Sequence, residues 1–188
     1  MAAGEGTRMR PLTEHWPKPV LPIDGRPVVV TLVHELGAFC DRIVVVTGHL
    51  AEQVEALLAP LPYPVEFVRQ PPGQGSADAV LRAGGLPPYL VLAADTLFEP
   101  GALARFAQEA AGADGAVALP REKAPLWLVG ARVHEHLDPL PGNPPYELQD
   151  VFRLATDAGA EVSAIQVGRT RGLTNPVDLV RENFPYLR

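Results

Sequence analysis

The chain has 188 residues, 47% of them hydrophobic, with a formal net charge of −6 and a pI near 5.3. That length fits one domain built on one sizeable core. An acidic balance excludes a broad nucleic-acid or anionic-membrane surface, which needs clustered Lys and Arg. With no run of about 18 apolar residues and no apolar leader ahead of residues 4–8, the expectation is a cytoplasmic protein with no membrane or nucleic-acid partner.

In chain order, a glycine-rich and proline-rich opening over residues 2–23 is followed by apolar positions at helical spacing over 28–39. Residues 28–30 alone would suit a strand, but continuation through Leu32, Val33 and Leu36 favours a buried helix. Strands are predicted at 43–47, 65–69, 89–94, 115–119, 126–131 and 162–167, from short β-branched or apolar runs bounded by turn residues. Helices are predicted at 51–58, 76–83, 101–111, 146–158 and 176–184. This alternation is the pattern of an α/β fold: a Rossmann-like domain over 1–188, with a mostly parallel mixed sheet flanked by helices. Residues 1–100 would form its nucleotide-binding half and 101–188 its acceptor half. The 21 prolines cluster at element boundaries and read as stiff connectors. Residues 137–145 are the best candidate for a surface excursion near a pocket. Cys40, beside Phe39 in an apolar segment, reads as a buried filler, and the His134-Glu135-His136 run as surface, because positions i and i+2 diverge on a helix.

The chemistry concentrates in Ala2-Ala3-Gly4-Glu5-Gly6-Thr7-Arg8-Met9-Arg10-Pro11-Leu12-Thr13 and the following Pro17-Lys18-Pro19. Small residues let the main chain approach a polyphosphate so that successive N–H groups point at its oxygens. Arg8 and Lys18 add charge, the first as a bidentate fork and the second as a mobile point charge. In Gln70-Pro71-Pro72-Gly73-Gln74-Gly75-Ser76-Ala77, an amide able to donate and accept toward a base edge precedes a helix start that favours anions. Asp95 follows an apolar run, which puts it at the carboxyl end of a strand, where open α/β sheets bind ligands.

Taken together, these segments resemble the signature of the nucleotidyltransferases that make nucleoside-diphosphate sugars, glucose-1-phosphate thymidylyltransferase among them. The resemblance implies a nucleoside triphosphate and a sugar 1-phosphate as partners, with pyrophosphate as leaving group. It implies Ala3, Gly4, Gly6, Thr7, Gln70, Gly75 and Ser76 around the nucleotide, Arg8, Lys18 and Asp95 as catalytic groups, and Mg²⁺ on Asp95. More weakly, Glu122-Lys123-Ala124-Pro125, Gly130 and Glu147-Leu148-Gln149-Asp150 resemble the acceptor side, which makes Glu122, Lys123, Gly130 and Glu147 its candidates. The family's closing segment normally brings a second Asp or Asn to the metal. Here that position falls on Gly172 or Thr174, leaving neighbouring Asn175 as the available oxygen.

Two further departures bear on the reading. Ala94 stands where the family usually has Gly, and the apolar first strand that precedes Ala-Ala-Gly has only Met1 in its place. The expectation is that this strand is truncated, its slot taken by a short apolar extension such as Lys-Ala-Val-Ile-Leu upstream of Ala2 or by another segment or chain. Rival readings are a cytidylyltransferase acting on an alcohol phosphate, a guanylyltransferase of the molybdenum-cofactor kind, and a catalytically silent nucleotide or sugar-phosphate binding protein.

Overall fold

Strand alternation decides which side chains enter which core. In the strand at Gly115–Leu119, Ala116 and Ala118 face one apolar cluster and Val117 faces the other, so the sheet is covered on both sides. The computed structural model describes every residue except Arg121, Glu122, Pro185, Leu187 and Arg188. Its order is β1 Pro22–Ile23, β2 Arg26–Pro27, α1 Val28–Leu36, β3 Ile43–Thr47, α2 Ala51–Leu58, β4 Val65–Arg69, α3 Ser76–Ala83, β5 Tyr89–Leu92 and β6 Thr96–Phe98. It continues with α4 Ala102–Glu109, β7 Gly115–Leu119, β8 Leu126–Val129, α5 Ala131–His134, α6 Leu148–Asp157, β9 Val162–Gln166, β10 Thr170–Gly172 and α7 Pro176–Asn183.

β3 and β4 pair in parallel, as do β7 and β9, while β8 lies antiparallel between β5 and β7. The fold is α/β with a mixed sheet. Helices α1, α2 and α4 pack on one face through residues such as Leu32, Val54 and Phe106. Helices α3, α5 and α6 cover the other through Val80, Val133 and Phe152. Two antiparallel ribbons, β1–β2 and β6–β10, lie outside this layer order. Arg171 of β10 ties them to α7 by pairing with Asp24 and with Glu182. These contacts raise its pKa, and the guanidinium in turn holds the Asp24 carboxyl below its ordinary value.

Between β3 and β5 the sheet contains a slot. Met1 and Ala2 occupy its carboxyl end: Ala2 N–H donates to Val46 C=O at 2.8 Å and Ala94 N–H to Met1 C=O at 2.9 Å. The Met1 nitrogen reaches Leu92 C=O at 2.7 Å, and the Ala2–Thr47 bridge is parallel. The gap is therefore one strand wide. By alternation, the N–H and C=O of Val44 and Leu90 and the N–H of Val46 and Leu92 also face it. Beyond Met1 it opens into a cavity of about 580 Å³ walled by Leu36, Phe39, Val44, Val80, Leu90 and Leu128.

Several boundaries differ from the sequence expectation: the helices predicted at 101–111, 146–158 and 176–184 and the strand at 162–167 are each shorter by one to three residues. The first helix stops at Leu36 and passes into a turn over 37–39; the Tyr63 ring lies against Gly37, where a Cβ would come within 2.2 Å of it. β5 ends at Leu92, since Ala94 bonds to Met1 before the chain enters β6. β8 ends at Val129, with Ala131 already starting α5. Leu137 belongs to the core, so the surface excursion is limited to the exposed residues after it. Cys40 is only half-buried, at the slot wall.

Candidate active site

The carboxyl edge of the sheet carries a pocket of about 310 Å³ lined by Gly4, Gly6, Thr7, Arg8, Lys18 and Asp95, with Thr174 at its margin. These residues come from three distant parts of the chain, and each is held by a local device. Gly6 adopts φ 63° and opens a 3₁₀ turn over Thr7–Met9, its carbonyl accepting from Met9 N–H at 2.8 Å and from the Thr13 hydroxyl at 2.9 Å. A Cβ there would press on Thr13 at 2.9 Å, whereas one on Gly4 would meet nothing within 4 Å. Gly4 therefore leaves open space for a ligand, and Gly6 serves the turn. Within the turn, Met9 is fully buried, flanked by exposed Arg8 and Arg10. Arg8 forms no ion pair among the described residues.

Lys18 starts the third 3₁₀ turn of the chain, after one at Leu12–Glu14 and extended Pro17, and its ammonium donates to Asp95 Oδ2. Asp95 Oδ1 accepts from the Thr96 hydroxyl at 2.9 Å. Both oxygens of the pocket's carboxylate are thus engaged within the protein. The pair is partly shielded, with side-chain exposures of 14% and 28%, which strengthens it relative to a surface pair.

Residues 70–76 form the adjacent loop. Gln70 N–H donates to Thr47 C=O at 2.8 Å, so Gln70 sits beside the end of β3. Next along that edge Gly48 touches Ala3, whose carbonyl accepts from His49 N–H at 3.3 Å. Gln70 Nε2 donates to Gly75 C=O at 2.7 Å and to Asp78 Oδ2 at 2.9 Å. The amide that the sequence suggested could both donate and accept toward a base has already committed its donors. Gly75, at φ 88°, abuts Tyr146, whose carbonyl would lie 2.3 Å from an added Cβ; the glycine admits the chain that leads into α6.

The remaining candidates are placed differently. Ser76 Oγ donates to Glu147 Oε2 at 2.7 Å and accepts from Leu148 N–H at 2.8 Å, so a nucleotide-side and an acceptor-side candidate hold each other. Gly130 is not explained by sugar approach: a Cβ there would strike the Ala113 and Asp114 carbonyls at 2.5 and 2.6 Å. Lys123 lies outside the pocket lining, exposed, with its carbonyl accepting from Thr170. Glu122 lies outside the described residues. Asn175 Oδ1 caps α7 by accepting from Val177 and Asp178 N–H at 3.0 and 3.3 Å. No group of three or more His, Cys, Asp or Glu side chains suited to a metal exists among the described residues. A single carboxylate can anchor Mg²⁺ where phosphate oxygens and water supply the other ligands. No helix among the described residues is long and apolar enough to cross a membrane.

The sequence reading did not single out Asp78 or Thr96. For Asp78 a signal existed: it is a carboxylate within the buried run Ala77–Val80 of an amphipathic helix. Thr96 carried none beyond its position after Asp95.

A family described as the MobA-like NTP transferase domain matches residues 1–161. The bifunctional protein GlmU of Thermus thermophilus is 42% identical over 123 residues, covering 60% of this chain and 26% of that protein; the chain thus spans about a quarter of the length of that curated relative. Among solved structures, a UDP-glucose pyrophosphorylase from Acinetobacter baumannii superposes with TM-score 0.79 at 20% identity, covering 98% of this chain and 90% of that one. An inositol-1-phosphate CTP transferase from T. maritima gives 0.78 at 17% identity, covering 94% and 88%. At these identities the two structures speak for the fold.

Proposed function

The chain belongs to the MobA-like NTP transferase domain family, and from that premise we propose that it transfers a nucleoside monophosphate from a nucleoside triphosphate to a sugar 1-phosphate. The observation that carries the reading is the meeting of Gly4, Arg8, Lys18 and Asp95 in one pocket at the carboxyl edge of the sheet. In the reaction an oxygen of the sugar phosphate attacks the α-phosphorus in line, a new P–O bond forms, and the bond to the β-phosphate breaks with its electrons leaving on pyrophosphate. No protein nucleophile is needed, so positioning and charge carry the catalysis.

Main-chain N–H groups after Ala3 and around Gly4 face the phosphates, and the Arg8 fork binds the β/γ end. Lys18 exchanges Asp95 for the α-phosphate, whose developing charge it neutralises. Mg²⁺ held by Asp95 would supply further neutralisation of phosphate charge. Gln70 meets the base beside Ala3 and Gly48. Glu147, Lys123 and Glu122 belong to the acceptor side in this reading, which divides the chain into a nucleotide half over 1–100 and an acceptor half beyond it, acting in the cytoplasm.

The lone carboxylate, already paired with Lys18, favours one second reading, a binding protein without turnover. Pyrophosphate release across nucleoside triphosphates and sugar 1-phosphates, beside calorimetric binding of the same compounds, separates the two. Turnover with any pair supports the transferase; tight binding with no pyrophosphate from any pair refutes it.

A further inference from the structure

Gln70 closes its own loop. Its side chain reaches back to Gly75 C=O at 2.7 Å and across to Asp78 Oδ2 at 2.9 Å, and both partners are acceptors. An amide can satisfy them only by turning its nitrogen toward them. Rotated by half a turn, Oε1 would face a carbonyl and a carboxylate at these distances, two repulsive contacts in a site where Asp78 is 6% exposed. Asp78 is in turn held by Arg82, whose Nε donates to the same Oδ2 at 2.6 Å. With both amide hydrogens consumed, Oε1 is left. It has no protein partner among the described residues, and it is absent from the buried polar atoms that lack one, so it reaches solvent.

We infer that Asp78 is a positioning residue that fixes Gln70 as a pure acceptor toward the base, selecting nucleotides whose pairing edge carries a ring N–H. This rests on Gln70 meeting the base at that ring position, as the proposed function has it. Uracil and thymine present N3–H and guanine N1–H, whereas cytosine and adenine present lone pairs at the corresponding ring nitrogens. At that position the first group completes the hydrogen-bonding of Oε1; the second sets acceptor against acceptor. A site built around one hydrogen bond rejects a ligand that cannot make it, because its polar group is left unpaired.

The experiment is equilibrium binding of UTP, dTTP, GTP, CTP and ATP to the wild-type chain, to Asp78→Ala and to Gln70→Leu. In the wild type, at least one of the first three binds about tenfold or more tighter than both CTP and ATP. Asp78→Ala removes one of the two acceptors, so that the rotated amide opposes Gly75 C=O alone; the preference over CTP then falls about tenfold or more, mainly through tighter CTP binding. Gln70→Leu also collapses the preference. A wild-type preference for CTP or ATP overturns the inference. If Gln70→Leu collapses the preference and Asp78→Ala preserves it, the base contact stands and the role of Asp78 is overturned. If Gln70→Leu preserves it, the base contact falls and the inference with it, as also happens if no nucleotide binds. Should Asp78→Ala fail to fold, NMR of the wild type decides: the Gln70 side-chain NH₂ exchanges slowly with solvent with and without nucleotide, and exchange as fast as in free glutamine refutes the lock.

Discussion

Placing Lys-Ala-Val-Ile-Leu directly upstream of Ala2, so that its Leu takes the position of Met1, should stabilise the fold by filling the slot between β3 and β5. Six backbone groups of Val44, Val46, Leu90 and Leu92 face that slot, and at about 1 kcal/mol net per hydrogen bond their pairing contributes roughly 6 kcal/mol. The Val and Ile side chains enter a cavity of about 580 Å³ with apolar walls, adding about 2 kcal/mol each and somewhat less for Ala. Ordering four new residues costs about 1.5 kcal/mol apiece. The balance is about 4–5 kcal/mol in favour of the extended form. At roughly 2–4 °C per kcal/mol for a domain of this size, Tm rises by about 10 °C or more. Calorimetry measures the shift, and hydrogen exchange locates it: the amides of Val44, Val46, Leu90 and Leu92 gain protection. An extended chain that melts within about 2 °C of the original, with those amides unprotected, would refute the strand-filling argument.

Lys18→Ala and Arg8→Ala should each lower kcat by about two or more orders of magnitude with unchanged circular dichroism, since an oriented charge on a transferring phosphoryl group is worth roughly 3–4 kcal/mol; retention of more than a third of the rate would remove that residue from the mechanism. Asp95→Asn should abolish turnover, and chelation by EDTA should do the same to the wild type, with Mg²⁺ restoring it in the millimolar range expected of a single carboxylate; a rate indifferent to EDTA excludes the metal. Glu35, with Oε2 buried and unpartnered, has its pKa raised by burial. The folded state therefore keeps a proton that the unfolded chain releases, and stability is lost as pH rises from the ordinary carboxylate range through the folded pKa. Glu35→Gln should flatten that decline in Tm between pH 4 and 7, and an unchanged slope would refute it. Gly75→Ala, forced to φ 88° with its Cβ 2.3 Å from the Tyr146 carbonyl, should lose about 2 kcal/mol or more in denaturant unfolding.

Where sequence fixed structure locally, it was readable. The strands at 43–47, 65–69 and 115–119 and the helices at 51–58 and 76–83 appear within the bounds their periodicity predicted. The phosphate-side cluster was readable for the same reason, since Gly4, Gly6, Thr7, Arg8 and Lys18 lie within fifteen residues and Asp95 ends an apolar run. The ribbons β1–β2 and β6–β10 were not, because strands of two or three residues have no measurable period. Nor could spacing reveal how polar side chains are spent. Ser76 meets Glu147 across 71 positions, and Asn175 joins a capping box. The Gln70 donors are spent on Gly75 and Asp78. Each depends on a partner that only tertiary packing supplies.

Met9 gives the pocket a thermodynamic signature. A fully buried thioether sits between two exposed arginines inside a three-residue turn, so the loop proposed to receive the phosphates is riveted to the core before any ligand arrives. Nucleotide association then freezes few backbone dihedrals, and its heat capacity change should be small, without the large negative value that accompanies coupled folding and binding. Enthalpy would change little between 10 and 35 °C. Encounter would be limited by diffusion and charge, with no slow isomerisation of the loop to wait for.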